Sequence, residues 1–283
     1  MTETPSLQAV LDIVEELWPR SLAEDWDAVG LVAGRRDSAV KKIHFAVDPV
    51  AAVVDEACEA GADLLITHHP LLLRGATSVE AGTFKGAVIH RLIESGCALL
   101  TTHTNGDSAV GGVNDVLAEI LGLQDTAPLK PAQDGLPEEG LGRIGTLPQG
   151  TTLGEFAARV FGILPAVAGG VRVAGDKDAF IQRVALCGGA GDSLLGAARE
   201  AEADVYITAD LRHHPASEAR EAAALGSGRP YLMDVSHFAS EWMWLPAAAQ
   251  ALDRLLADRG YEVEVAVSGL NSDPWDFVIT PGH

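Results

Sequence analysis

The chain has 283 residues, 47% hydrophobic and 21% charged, enough apolar material for one large domain or two ordinary ones, which argues against disorder. Its 40 acidic against 20 basic residues give a formal net charge of -20, which works against nucleic acid as a partner, because that affinity rests on clustered Lys and Arg. No run of about 18 apolar residues occurs, so no membrane span is expected.

Residues 1–20 form an amphipathic, acidic stretch without the basic start and unbroken apolar core of a secretory signal. Cys58, Cys97 and Cys187 sit in apolar runs without C-x-x-C spacing and read as small core residues of a reduced, cytoplasmic protein. Residues 40–67 align without a gap on residues 181–208, at a constant offset of 141. Each copy reads as an apolar strand, a turn, an Ala-rich helix ending near Gly61 or Glu202, and a second strand closing on Ile-Thr, the pattern of a βαβ unit with parallel strands. Duplication and convergence on a common α/β grammar both account for the identities, and both give the same architecture.

A further helix and a third strand follow each copy, at 87–95 and 97–102 in the first and at 216–225 and 230–235 in the second. The expected fold is therefore α/β, with two similar three-layer lobes of mainly parallel strands and a metal site between them. The Pro- and Gly-rich stretch 125–142 has no apolar period and reads as a linker, which places the lobes at 1–127 and 128–283.

In parallel α/β sheets ligands bind beyond the carboxyl ends of the strands. Three such ends carry metal-ligating residue types: His68-His69 after the strand at 64–67, His103 and Asp107 after 98–102, and His237 and Glu241 after 231–235. Adjacent residues of a strand point to opposite sides, so His68 and His69 are expected to serve different ions. His237 and Glu241 are spaced i, i+4, on one face of a helix. A carboxylate can bridge two cations, a role given to Glu241, with Asp107 and one adjacent His completing one ion and His237 and the other His completing the second.

The motifs Thr67-His68-His69-Pro70-Leu71, His103-Thr104-Asn105-x-Asp107 with Gly111-Gly112-Val113-Asn114-Asp115, and His237-Phe238-Ala239-Ser240-Glu241 resemble the signatures of the Nif-three-like family. Many members of that family are called GTP cyclohydrolase type 2 homolog. Trp26-Asp27-x-x-Gly30-Leu31, Ala185 to Gly191, and Ile207-Thr208-x-Asp210 followed by His214 are also similar, so the resemblance runs in order over nearly the whole chain. It implies a dinuclear site at the positions of His68, His69, Asp107, His237 and Glu241, a homohexameric assembly, and two lobes without the extra domain that some members insert. Gly106, Ala28 and Ala209 depart from the family pattern, which bears on loop shape and not on the ligands.

Two functions follow. As an enzyme, the chain would be a metal-dependent hydrolase, with His103 or His214 moving protons and a small molecule, a nucleotide on the family name, as substrate. As a non-catalytic protein, it would store metal or act as a regulatory partner. His and carboxylate donors suit Zn, Mn, Fe, Co or Ni alike. The glycine run Gly188-Gly189-Ala190-Gly191 reads as a strand-to-helix turn or an anion cradle. His44, His90 and His283 receive no role.

Overall fold

The structure, a computed structural model, describes residues 3–280. In chain order these form α1 (Leu7–Leu17), β1 (Gly30–Ala33), β2 (Lys42–Ala46), α2 (Ala51–Glu59), β3 (Leu64–Thr67), α3 (Phe84–Ser95), β4 (Ala98–Thr101), α4 (Thr104–Ser108), α5 (Val113–Ile120), β5 (Gln124–Pro131) and β6 (Gly140–Thr152). There follow α6 (Leu153–Ile163), β7 (Arg172–Ala174), β8 (Phe180–Ala190), α7 (Leu195–Glu200), β9 (Val205–Ala209), α8 (His213–Ala224), β10 (Tyr231–Val235), α9 (His237–Trp242), α10 (Leu245–Asp258) and β11 (Glu264–Val267).

The first unit comprises the chain up to Val110 together with Leu245–Ser272. Its sheet has the order β1-β4-β3-β2-β11, in which only β1 runs antiparallel to its neighbour. The strands Leu64–Thr67 and Ala98–Thr101 are buried at every residue, as expected of parallel strands covered on both faces. Val53, Val54 and Ala57 of α2 and Val88, Ile89 and Leu92 of α3 pack with Ala46, Leu65 and Leu99. Helix α10 packs against α1, β2 and β11. Gly96, at φ 71°, ends α3 in the left-handed conformation that glycine adopts without steric cost, and so turns the chain into β4.

The second unit comprises Gly111–Trp244 and the chain from Asp273 onward. Its sheet has the order β5-β6-β8-β9-β10-β7, with β8, β9 and β10 parallel and the remaining pairs antiparallel. Phe156 and Val160 of α6 join one core with Ile181, Val184, Leu186 and Met233, while Ala198 of α7 joins another with Ala185, Tyr206 and Leu232. The buried Arg143 guanidinium pairs with Asp115 of α5 and donates to the Gly140 and Gly142 carbonyls, which offsets its desolvation.

The repeat seen in the sequence corresponds to β2-α2-β3 and β8-α7-β9, and the structure explains one of its identities. Asp63 Oδ2 accepts the amides of Lys41 (2.7 Å) and Lys42 (3.1 Å), and Asp204 Oδ2 accepts those of Gln182 (2.7 Å) and Arg183 (2.8 Å). Each aspartate thus clamps the start of its unit's first parallel strand from the foot of the second.

Two expectations are corrected. The stretch 125–142 is no linker but a hairpin of β5 and β6, and Pro128 and Pro131 are tolerated because β5 is the edge strand, whose outer N–H groups need no partner. The chain passes from the first unit to the second at Val110–Gly111 rather than at 127–128, and Leu245–Ser272 returns to complete the first sheet through β11.

Candidate metal centre

In the first unit the chain leaves β3 at Thr67, and the amides of His68 and His69 donate to Ala46 (3.1 Å) and Val47 (2.9 Å). The two rings do not diverge as expected. Their centroids are 5.1 Å apart, because strand pairing ends at Thr67 and the alternation of a pleat no longer governs the next two residues. The His103 ring lies 5.2 Å from that of His68 and 5.5 Å from that of His69. One ring nitrogen from each of the three lies within 4.8 Å of the others, close enough that they could share one ion.

Helix α4 is a buried T-N-G-D-S turn, and buried polar groups must find partners. Asp27 supplies several: its carboxylate accepts Thr104 N–H (3.0 Å), the Thr104 hydroxyl, and His103 Nδ1 (2.8 Å). Asn105 donates to the Trp18 carbonyl (2.8 Å) and accepts the His103 amide (3.0 Å). Held this way, Asp107 is buried, with Oδ1 3.6 Å from His68 Nε2. Burial works to raise the pKa of Asp27, but the hydrogen bonds from His103 and Thr104 and the charge on His103 outweigh it, keeping the carboxyl well below the usual range.

In the second unit α9 follows β10. Its N-cap Ser236 accepts the Ala239 amide (3.1 Å) and donates to Asp273 (2.5 Å). The i, i+4 spacing brings His237 Nε2 to 2.9 Å from Glu241 Oε1, and the Glu241 side chain is 3% exposed. Asp210 accepts His237 Nδ1 (2.8 Å) from a left-handed backbone, φ 55°, just past β9. Such a conformation in a non-glycine residue persists only where its surroundings enforce it. Burial lowers the pKa of His237, yet Glu241 and Asp210 prevail and the imidazolium is pushed up to about 11.

The strand-to-helix turn falls only at the last residue of the glycine run, Gly191, which caps the short helical turn after β8, and the earlier amides do not form an anion cradle. Gly188, Gly189 and Ala190 belong to β8, and the Gly188 and Gly189 amides are taken by Asn114 Oδ1 (2.9 Å) and Ser240 Oγ (3.0 Å). A Cβ on Gly189, at φ +65°, would stand 2.2 Å from Glu241 Oε1 and 3.1 Å from His237 Nε2. Gly189→Ala is expected to destabilise the second unit by about 2–4 kcal/mol through the strained φ and the displaced carboxylate, read as a lower thermal midpoint. An unchanged midpoint would mean that Glu241 is not held against this strand.

The two units build equivalent sites. Past the third parallel strand of each lies a histidine with a carboxylate four residues on: His103 with Asp107, and His237 with Glu241. At the repeat offset His69 corresponds to Asp210, which anchors His237. Each of the four histidines has Nδ1 on an oxygen acceptor: His68 on the Thr102 carbonyl (2.9 Å), His69 on Asp48 (2.6 Å), His103 on Asp27 and His237 on Asp210. This fixes ring orientation and directs Nε2 to the site, the arrangement found around ligating histidines.

Sequence reasoning missed Asp48 altogether and did not use the shared i, i+4 spacing, which was visible. His213 and His214 are exposed at the start of α8 with their rings 5.3 Å apart. His44 Nε2 lies 3.1 Å from Glu56, and His90 Nδ1 3.9 Å from Glu94. His283 lies outside the described residues.

Two α/β units, each carrying a histidine and a carboxylate on a helix after its third parallel strand, define a class of proteins with duplicated histidine–carboxylate clusters. The Duf34/NIF3 (NGG1p interacting factor 3) family profile matches residues 5–274, and the chain belongs to that family. A Streptomyces coelicolor protein named GTP cyclohydrolase 1 type 2 homolog is 48% identical over 272 residues, covering 96% of this chain and 94% of its own. A Mycobacterium tuberculosis protein of the same name is 35% identical over an alignment of 375 residues, covering 95% of this chain and 96% of its own. That alignment is longer than the present chain, so the relative carries additional residues within the matched region. The crystal structure of a Bacillus cereus protein related to NIF3 superposes with a TM-score of 0.88 at 26% identity, over 98% of this chain and all of that one.

Proposed function

We propose that the chain holds two divalent cations through His68, His69, Asp107, His237 and Glu241 and acts as a metal-dependent hydrolase. The observation that carries this reading is the oxygen acceptor on Nδ1 of every clustered histidine, which leaves Nε2 as the donor nitrogen. The close approach of Gly189 to Glu241 adds support, since a side chain there would fill the space the carboxylate needs. His237 and Glu241 supply two donors, fewer than the three or four that protein zinc sites use, so further donors are required. Glu241 is the bridge in this assignment. No thiolate belongs to the set, which keeps Zn, Mn, Fe, Co and Ni as candidates.

Bound divalent cations supply Lewis acidity, polarising a substrate oxygen and lowering the pKa of water toward neutrality. The chain's own residues do the rest. His103, fixed at Nδ1 by Asp27, holds or passes a proton at Nε2. Burial of His68 and Glu241 strengthens the attraction between donors and cation. Self-association to a homohexamer belongs to the same proposal and is read from the mass in light scattering.

The raised pKa of His237 fixes a sign. Its proton stabilises the metal-free unit fully below the unfolded value of about 6.5, and this contribution is lost as the pH rises through about 11. A cation needs the neutral nitrogen, so uptake at neutral pH expels the proton and apparent affinity rises up to about tenfold per pH unit between roughly pH 6 and 8. Calorimetric titration in two buffers of different ionisation enthalpy checks this, and an identical heat in both would contradict it.

The function is tested by the metal content of purified protein, followed by a screen of nucleotides, phosphoesters and small amides with Glu241→Ala as control. Turnover that depends on Glu241 is expected. Two tightly held ions with no turnover across the screen would favour metal storage instead.

A further inference from the structure

Trp26 is 59% exposed, although it neighbours the deeply buried Asp27 side chain. Its indole meets the His103 ring almost at right angles, 79°, with centroids 5.9 Å apart. His103 is in turn one of the three histidines whose nitrogens converge within 4.8 Å. The packing of the first unit therefore gives no reason for a Trp here, since most of the residue lies outside the core. An exposed indole beside convergent donor nitrogens offers a flat apolar surface next to chemically active groups.

The charge around this surface narrows what can lie on it. Glu24, Asp25 and Asp27 flank Trp26 in sequence, and Asp107 and Asp48 belong to the adjoining cluster. Arg20, the sole basic residue between positions 18 and 34, is paired with Glu15 at 2.9 Å. Around Trp26 itself, apart from any cation bound at the cluster, a polyphosphate would meet net negative charge, whereas a neutral or cationic ring would gain stacking or cation–π attraction.

The geometry points to Trp26 as a platform that positions a planar, uncharged or cationic heteroaromatic ring, such as a nucleobase, beside the histidine cluster. This rests on the metal-site reading for its purpose but on Trp26 for its recognition. The group recognised at Trp26 is thus a nucleobase or related heterocycle.

The test is calorimetric binding of guanosine, adenosine and guanosine triphosphate to metal-loaded protein, with Trp26→Ala and Trp26→Phe and with metal per chain counted in each. Nucleoside binding is expected to weaken roughly 5- to 100-fold in Trp26→Ala and to be largely retained in Trp26→Phe, at unchanged metal content. In metal-free protein the triphosphate should bind no more tightly than guanosine. The platform is refuted by absent nucleoside binding at millimolar concentration, by equal affinity in Trp26→Ala, or by a markedly tighter triphosphate in metal-free protein. A loss of metal in Trp26→Ala would also refute it, because the residue would then act through His103, and so would a fall in molecular mass, which would make Trp26 a contact between copies. Wild-type protein without metal refutes the proposed function instead, and the binding comparison still decides the role of Trp26.

Discussion

Stripping the protein with a strong chelator is expected to lower its unfolding temperature by roughly 8–16 °C. A cation present at about a thousand times its dissociation constant stabilises the native state by about 4 kcal/mol, and each kcal/mol moves the midpoint of a chain of this size by about 2–4 °C. The donors make the effect large. The Glu241 side chain is 3% exposed, Asp107 is buried and the His68 side chain is fully buried, so each unit holds a desolvated carboxylate that a bound cation would stabilise. Both units carry donors in the proposed set, so the unfolding of either unit should move to lower temperature. Differential scanning calorimetry with and without chelator checks this, and superimposable traces would count against metal as part of the native state.

Much of the fold could be read from the sequence because its signals are local. Leu64–Thr67 and Tyr231–Val235 were bounded correctly by their apolar runs, and the repeat of β2-α2-β3 in β8-α7-β9 carried enough identity to show itself. The return of α10 and β11 to the first sheet depends on which sheet edge is open and on what covers α1, and no local pattern encodes either. The β5–β6 hairpin was hidden because proline suits loops and edge strands alike, and only the pairing partner tells them apart.

The site divides in the same way. Histidines and carboxylates at strand ends stand out by residue type, which is why His68, His69, Asp107, His237 and Glu241 are candidates on sequence alone. Their anchors are not. Asp48 lies 21 residues from His69, and Asp27 lies 76 from His103, distances that only the folded chain closes. The convergence of the His68 and His69 rings depends on where strand pairing stops, a detail of one or two residues. Gly188 and Gly189 read as a flexible turn because glycine serves both turns and close approaches, and the approach of Glu241 appears only in the fold.

Glu241→Gln is expected to have the largest effect of any single substitution at the site. Glutamine keeps the size of the side chain and its place against Gly189 but removes the charge that would offset two neighbouring dications and their mutual repulsion. It also replaces one of the two carboxylate oxygens by an amide nitrogen, a poor donor, so one of the two cations would lose a ligand if Glu241 bridges them. Both ions should therefore be lost together, and with them any turnover. His237→Ala and Asp107→Ala remove a donor from a single ion in this assignment, so each should leave about one. Elemental analysis of metal per chain in the wild type, Glu241→Gln and Asp107→Ala decides between the assignments. The account predicts two ions, none and one respectively; wild-type protein that holds no metal, or Glu241→Gln that keeps both ions while Asp107→Ala loses both, would contradict it.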